Sequence, residues 1–277
     1  MTAQQGVPRP DEIVDFYDLA GPAFSAVWDG NFHLGYWFDE NDQASIPEAT
    51  DRLTDLVLDR LQVGPGDRVL DVGCGIGKPA VRLAERTGAE VVGISNNQGQ
   101  VDQANVRAAE AGLAGRVRFE YADAMAQPFA DAEFDAVFAL ESIIHMDRPV
   151  ALAEMARTLR PGGRLVLTDM IETAPEGSDE PTVAESAFGA TDFVRLPRIA
   201  AYRELLPAAG LEVVELLDIT QHTQHTMLRL GPDIAQVHAH VQERVGAAAD
   251  ELLKRVMVSI SGAARIGYMI GVARRPR

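Results

Sequence analysis

A short apolar run that empties into three closely spaced glycines, with a proline just beyond, constrains this chain more than any other feature. Val69-Leu70-Asp71-Val72-Gly73-Cys74-Gly75-Ile76-Gly77-Lys78-Pro79 reads as a strand, a tight turn and the start of a helix. Glycine accepts backbone angles that other residues avoid, and proline is best tolerated in the first turn of a helix. A loop of this kind lets backbone approach a ligand closely at the carboxyl edge of a parallel sheet.

The residues around it repeat the same rhythm. Strands are predicted over 68–72, 90–94, 117–121, 134–140 and 164–169. Helices are predicted between them over 79–86, 98–111 and 149–159. The strands barely alternate between apolar and polar residues, which argues for a parallel sheet covered on both faces. A helix over 47–61 precedes this core, with Ser45 or Ile46 before it, and a short helix is predicted over 11–19. Beyond it, helix 199–209, strand 211–219, helix 232–261 and a last strand 266–273 are predicted. The segments 172–198 and 221–262 are extra to a minimal α/β wrap and are the natural candidates for a substrate cap.

The chain has 277 residues and 47% hydrophobic content, an ordinary globular composition. Its 25 basic against 41 acidic residues give a net charge of −16, which repels phosphate backbones and anionic lipid. Nucleic acid and membrane are therefore not expected as partners. The first 18 residues lack the basic and apolar regions of a signal peptide, and no apolar run approaches a membrane span. A single cysteine, Cys74, makes neither an internal disulfide nor a zinc site. A soluble, cytoplasmic protein is expected. A homo-oligomer is left open.

Three ligand classes compete for the glycine turn. A phosphate-cradling loop needs a glycine where Val72 stands and a Ser or Thr where Pro79 stands. A dinucleotide fingerprint needs a third glycine where Lys78 stands. What remains is DxGxGxG, with Asp71 just ahead of Gly73 and Gly75. This resembles the first motif of the class I S-adenosylmethionine-dependent methyltransferases, whose cationic cofactor suits an acidic neighbour. The likeness is nearest to the natural-product, small-molecule subgroup typified by rebeccamycin sugar 4′-O-methyltransferase. It implies a Rossmann-like α/β fold, with a seven-stranded, mostly parallel sheet whose last strand is antiparallel, and a helical cap. The whole chain, 1–277, would be one domain: lid helices over 11–60, a cofactor-binding core over 64–171, and the cap insertions.

The resemblance extends to other segments. The second strand ends Ser95-Asn96-Asn97-Gln98-Gly99-Gln100 without the usual ribose-binding acid, matching a narrower pattern in which Ser95, Asn96 and Gln100 serve the ribose. A helix N-cap at Ser95 or Asn97 is an equally natural reading of the same residues. Asp123 and Ala124 match the adenine position. Leu140 lies in the cofactor-flanking turn, within Ala139-Leu140-Glu141-Ser142. The stretch Trp28-Asp29-Gly30-Asn31-Phe32-His33-Leu34-Gly35-Tyr36-Trp37 resembles a segment that folds over the cofactor, implicating Tyr17, His33 and Trp37. Aromatic faces also attract a sulfonium, by about 0.5–2 kcal/mol. The implied cofactor is S-adenosylmethionine, released as S-adenosylhomocysteine.

For chemistry, His145 follows the fourth strand and Asp169 ends the fifth, so adjacent strands bring both to one sheet edge. The resemblance implies His145 as the base that deprotonates an acceptor hydroxyl, with Asp169 orienting or charging it. Where the family shows two successive histidines, this chain has Ile144-His145. Glu172 opens an alternative: a carboxylate in an apolar pocket that removes a proton after C-methylation of a prenyl or polyketide carbon. A third reading is a cofactor-bearing cyclase that transfers no methyl. His222, His225, His238 and His240 lack the spacing of a metal site, and no metal is expected. Phe188, Phe193, Leu196, Met227 and Leu228 are candidates for the acceptor pocket. The expected function is methyl transfer to a small natural-product acceptor, most directly at a hydroxyl oxygen.

Overall fold

Unbroken runs of Val, Leu, Ile, Ala and Phe become the middle strands of a sheet, because residues buried on both faces have no reason to alternate. A computed structural model describes residues 29–173, 196–226, 228–229, 239, 242 and 266–277. The predicted helix over 11–19, Tyr17, Phe188, Phe193, Met227, His238 and His240 lie outside those residues. So does the predicted helix over 232–261, apart from Ala239 and Gln242.

In chain order the elements are α1 (Ile46–Leu61), β1 (Arg68–Val72), α2 (Lys78–Thr87), β2 (Glu90–Ser95), α3 (Gln98–Glu110) and β3 (Val117–Tyr121). Next come β4 (Phe134–Ala139), a 3₁₀ turn (Ile143–His145), α4 (Arg148–Thr158) and β5 (Leu159–Glu172). The chain continues through a second 3₁₀ turn (Ile199–Ala201) into α5 (Tyr202–Ala208), β6 (Glu212–Asp218), α6 (Thr220–Thr223) and β7 (Ile266–Arg274). The seven strands lie in the order β3-β2-β1-β4-β5-β7-β6. Pairs β2–β3, β1–β2, β1–β4 and β4–β5 are parallel. At the start of β5, Gly162 and Gly163 exchange backbone hydrogen bonds with Arg275, just past the end of β7. Gly267, near the start of β7, packs instead on Ile171 at the far end of β5. The last strand is therefore antiparallel to its neighbour, as expected.

Burial follows position in the sheet. The central strands β1, β2 and β4 are buried almost throughout, whereas β3 and β6 at the two edges alternate or lie open. Arg160-Pro161-Gly162-Gly163, which reads as a turn, is accommodated inside β5. Phe134 pairs with Leu159 and Ala136 with Arg164, so the four residues between loop out of register. At the β3 edge, Asn105 of α3 presents its side-chain amide to Phe119, donating to the carbonyl and accepting from the N–H, both at 3.0 Å.

Helix starts follow the capping chemistry of their sequences. Ser45 and Glu48 exchange hydrogen bonds ahead of α1. Asn97 caps α3 and Asp147 caps α4 through their side chains. The chain divides into two compact units. One comprises Thr54–Asp169, Ile199–Leu217 and Ile270–Arg277; the other holds the described parts of Met1–Leu53, Met170–Arg198 and Asp218–Met269. No described helix is long and apolar enough to cross a membrane.

Candidate active site

The carboxyl ends of β1 to β5 carry the candidate site residues of the first unit. At the end of β1, Gly73 and Gly77 hold φ of +79° and +81°, the left-handed region that penalises a side chain. Space forbids one as well. A Cβ on Gly73 would stand 2.3 Å from the Ser142 Cβ, and one on Gly77 would stand 2.5 Å from the Phe119 ring. Gly77 precedes α2, with Pro79 in the first turn, as the sequence implies. The Ser142 hydroxyl reaches across to donate to the Val72 carbonyl, tying the turn after β4 to the glycine loop.

Asp71 lies under this loop, 2% exposed. Its Oδ2 is shut off from solvent and has no hydrogen-bond partner among the described residues. Burial pushes its carboxyl well above the usual carboxylate range. A buried acid of this kind is costly unless a cation or donor meets it. An orphaned acidic oxygen beside a turn that only glycine can build fits a cationic ligand in close contact with backbone.

At the end of β2 the polar run forms a hydrogen-bonded cluster. Asn97 Oδ1 accepts from the Gln100 N–H at 2.9 Å, which is the N-cap of α3. Ser95 is buried. Its hydroxyl accepts from the Asn97 N–H and donates to Gln100 Oε1 at 3.0 Å, joining two of the three expected ribose contacts. Asn96 is half-buried. Past β3, Asp123 is exposed and its Oδ1 accepts from the Met125 N–H at 2.8 Å; Ala124 beside it is half-buried.

After β4, Leu140 is buried and Glu141 takes φ +53°, held by its N–H donating to Thr168 Oγ1 at 2.8 Å. The 3₁₀ turn then delivers His145, partly exposed as a residue but with Nδ1 shut off from solvent. Burial, and secondarily the Arg148 charge, lower its pKa to about 4, so the imidazole is neutral at physiological pH. Asp169, fully buried on β5, accepts a bidentate pair from Arg148, Nε at 2.7 Å and Nη2 at 3.0 Å. Its Oδ2 also accepts from the Tyr202 hydroxyl at 2.7 Å. Sequence reasoning missed Arg148, Tyr202 and Thr168. An Arg three positions after His145, just past the helix-capping Asp147, was the available signal.

The second unit holds the other candidates. His33 is buried with Nδ1 2.9 Å from the Leu34 carbonyl. Trp37 is fully buried and donates from Nε1 to Thr226 Oγ1 at 3.1 Å, while His222 and Trp37 pair through their backbones and through His222 Nδ1. One face of the Trp37 ring already holds a cation, the Arg229 guanidinium at 4.1 Å. Glu172 is buried, and its N–H donates to the Pro197 carbonyl. Leu196 is buried, whereas Leu228 is 69% exposed. No cluster of three or more metal-binding side chains occurs among the described residues.

Residues 69–163 match the family model described as a methyltransferase domain. Over 97% of its length the chain is 39% identical to the 27-O-demethylrifamycin SV methyltransferase of Amycolatopsis mediterranei (strain S699), covering 98% of that protein. The chain is a class I S-adenosylmethionine-dependent methyltransferase. It is also 36% identical to the methyltransferase GfsG of Streptomyces halstedii, across 96% of this chain and 94% of that one. Among solved structures it resembles the [4+2]-cyclase SpnF, with a TM-score of 0.85, 35% identity and 99% of each chain covered. This methyltransferase belongs with the small-molecule subgroup, as its motifs imply. The cofactor it uses, S-adenosylmethionine, is a cation of the kind that the orphaned Asp71 oxygen and the glycine cradle fit.

Proposed function

We propose that this methyltransferase O-methylates a hydroxyl of a small natural-product acceptor, with His145 as general base. The observation that carries the reading is a neutral imidazole on the turn whose Ser142 and Met146 pack against Gly73. Bound S-adenosylmethionine supplies an activated methyl group. Asp71 and the glycine loop would hold its charged end; Ser95, Asn96, Gln100, Asp123, Ala124 and Leu140 would hold its nucleoside. His33 and Trp37 would serve the lid. Aligning the hydroxyl oxygen in line with the methyl supplies most of the effect, roughly 7–11 kcal/mol. His145, already unprotonated, takes the hydroxyl proton as the bond forms, which contributes about 10²–10⁴-fold.

The rifamycin-modifying relative, whose name places its chemistry at an oxygen, supports this acceptor class. A net charge of −16 favours a neutral acceptor over a polyanion. In this reading the chain is one cytoplasmic domain: lid helices over 11–60, a core over 64–171, and cap insertions over 172–198 and 221–262. Two observations keep other chemistries in the test: the buried Glu172 carboxylate and the likeness to a cyclase.

The deciding experiment screens hydroxylated natural-product scaffolds with S-adenosylmethionine and follows product mass. A product heavier by one methylene, methylated at oxygen and lost in His145→Ala, is expected. Loss in Glu172→Gln with His145→Ala still active would assign C-methylation. An isomerised acceptor of unchanged mass would assign cyclisation.

A further inference from the structure

Arg148, Asp169 and Tyr202 form a buried, hydrogen-bonded trio. The Arg148 and Asp169 side chains are 5% and 0% exposed, and Tyr202 is fully buried. Burying an ion pair gains little stability over apolar residues of the same size. Its geometry offers a different use. Arg148 is the first residue of α4 and stands three positions after His145. Its planar fork is held on both Asp169 oxygens, and Tyr202 of α5 fixes the same carboxylate from a third element. Asp147, next to it, caps α4 by accepting from the Val150 N–H at 3.2 Å. The upstream end of the turn is anchored separately, Glu141 to Thr168 and Ser142 to Val72. The turn that carries His145 is thus anchored on both sides of it.

We infer that Arg148 is a positioning residue for His145, so that Asp169 and Tyr202 act on the base through the Arg148 guanidinium. The inference rests on the reading of His145 as the base. The same guanidinium charge adds to burial in keeping the resting imidazole unprotonated. The expected role of Asp169, orienting or charging the base, is on this inference exercised through Arg148.

The test combines Arg148→Lys, which keeps the charge but loses the fork, with Tyr202→Phe, which removes one hydroxyl and leaves the ion pair. Each is made alone and in the His145→Ala background. Expected for either single variant is a fall in kcat of about tenfold or more, with the S-adenosylmethionine dissociation constant within about threefold of the parent. Added to His145→Ala, neither should lower kcat further, as coupled residues require. Tyr202→Phe carries the test alone where Arg148→Lys fails to fold. An unchanged kcat, or the same fold-loss in both backgrounds, overturns the inference and leaves the base standing. Full activity of His145→Ala by itself removes the base and the inference together.

Discussion

Two aspartates buried at the same sheet edge have been treated in opposite ways. Asp169 has both oxygens occupied by a guanidinium and a phenol. Asp71, on β1, keeps one oxygen enclosed with no described partner, and burial raises its carboxyl well above the carboxylate range. Charge buried with its counter-charge is a structural device, while charge buried without one is an appetite for a ligand. In the proposed reading, the contrast separates a residue that shapes the site from one that would meet the cofactor.

The largest effect should appear in stability of the free protein. Asp169→Ala leaves the Arg148 guanidinium buried without its carboxylate and should cost about 3–5 kcal/mol in denaturant unfolding. Asp71→Asn should do the reverse. Burial lifts this group above its ordinary 3.8, so its ionisation works against folding as pH rises beyond that value. The Asn variant should be at least as stable as the parent at neutral pH, and a large loss would erase the distinction.

Binding should invert the ranking. Calorimetric titration is expected to show S-adenosylmethionine bound roughly 10–100-fold more weakly by Asp71→Asn, as loss of a charged hydrogen-bond partner implies. Affinity in the parent should tighten as pH rises toward the raised Asp71 value, by up to about tenfold per unit, with a proton released on binding. In Asp71→Asn that slope should vanish. A flat profile in the parent would mean that Asp71 never meets the cation.

His145 supplies a sharper pH test. Its pKa falls from an ordinary 6.5 to about 4, so the acid limb of kcat should lie near the lower value. The stability this site contributes is complete above about 6.5 and lost as pH falls toward 4. His145→Gln should flatten stability across that window. The smallest effect expected is at Asn97. Replacing it with Ala removes a helix cap and should cost about 0.5–2 kcal/mol without changing kcat.

Much of the fold could be read from local chemistry. The Gly73–Pro79 turn, the unalternating strands and the Asn97 cap each depend on residues within a few positions of one another. Asp71 was legible for the same reason, since an acid ahead of a glycine turn needs no distant partner to be noticed. The fate of Asp169 was not. Its partners arrive from α4 and α5, 21 and 33 residues away, and no period or spacing announces them. Trp37 tells the same story: its indole N–H is held by Thr226, 189 residues later, and Arg229 lies on its face.

The Asn105 amide on Phe119 carries a consequence for solubility. A strand at the border of a sheet offers unpaired N–H and C=O groups as a template for another chain. Here an α3 side chain occupies both of these groups at Phe119, and the Val117 N–H is bonded back to Leu113. At Phe119 one carboxamide thus takes the place of a further strand without offering a new border, which shortens the rail left for edge-to-edge aggregation.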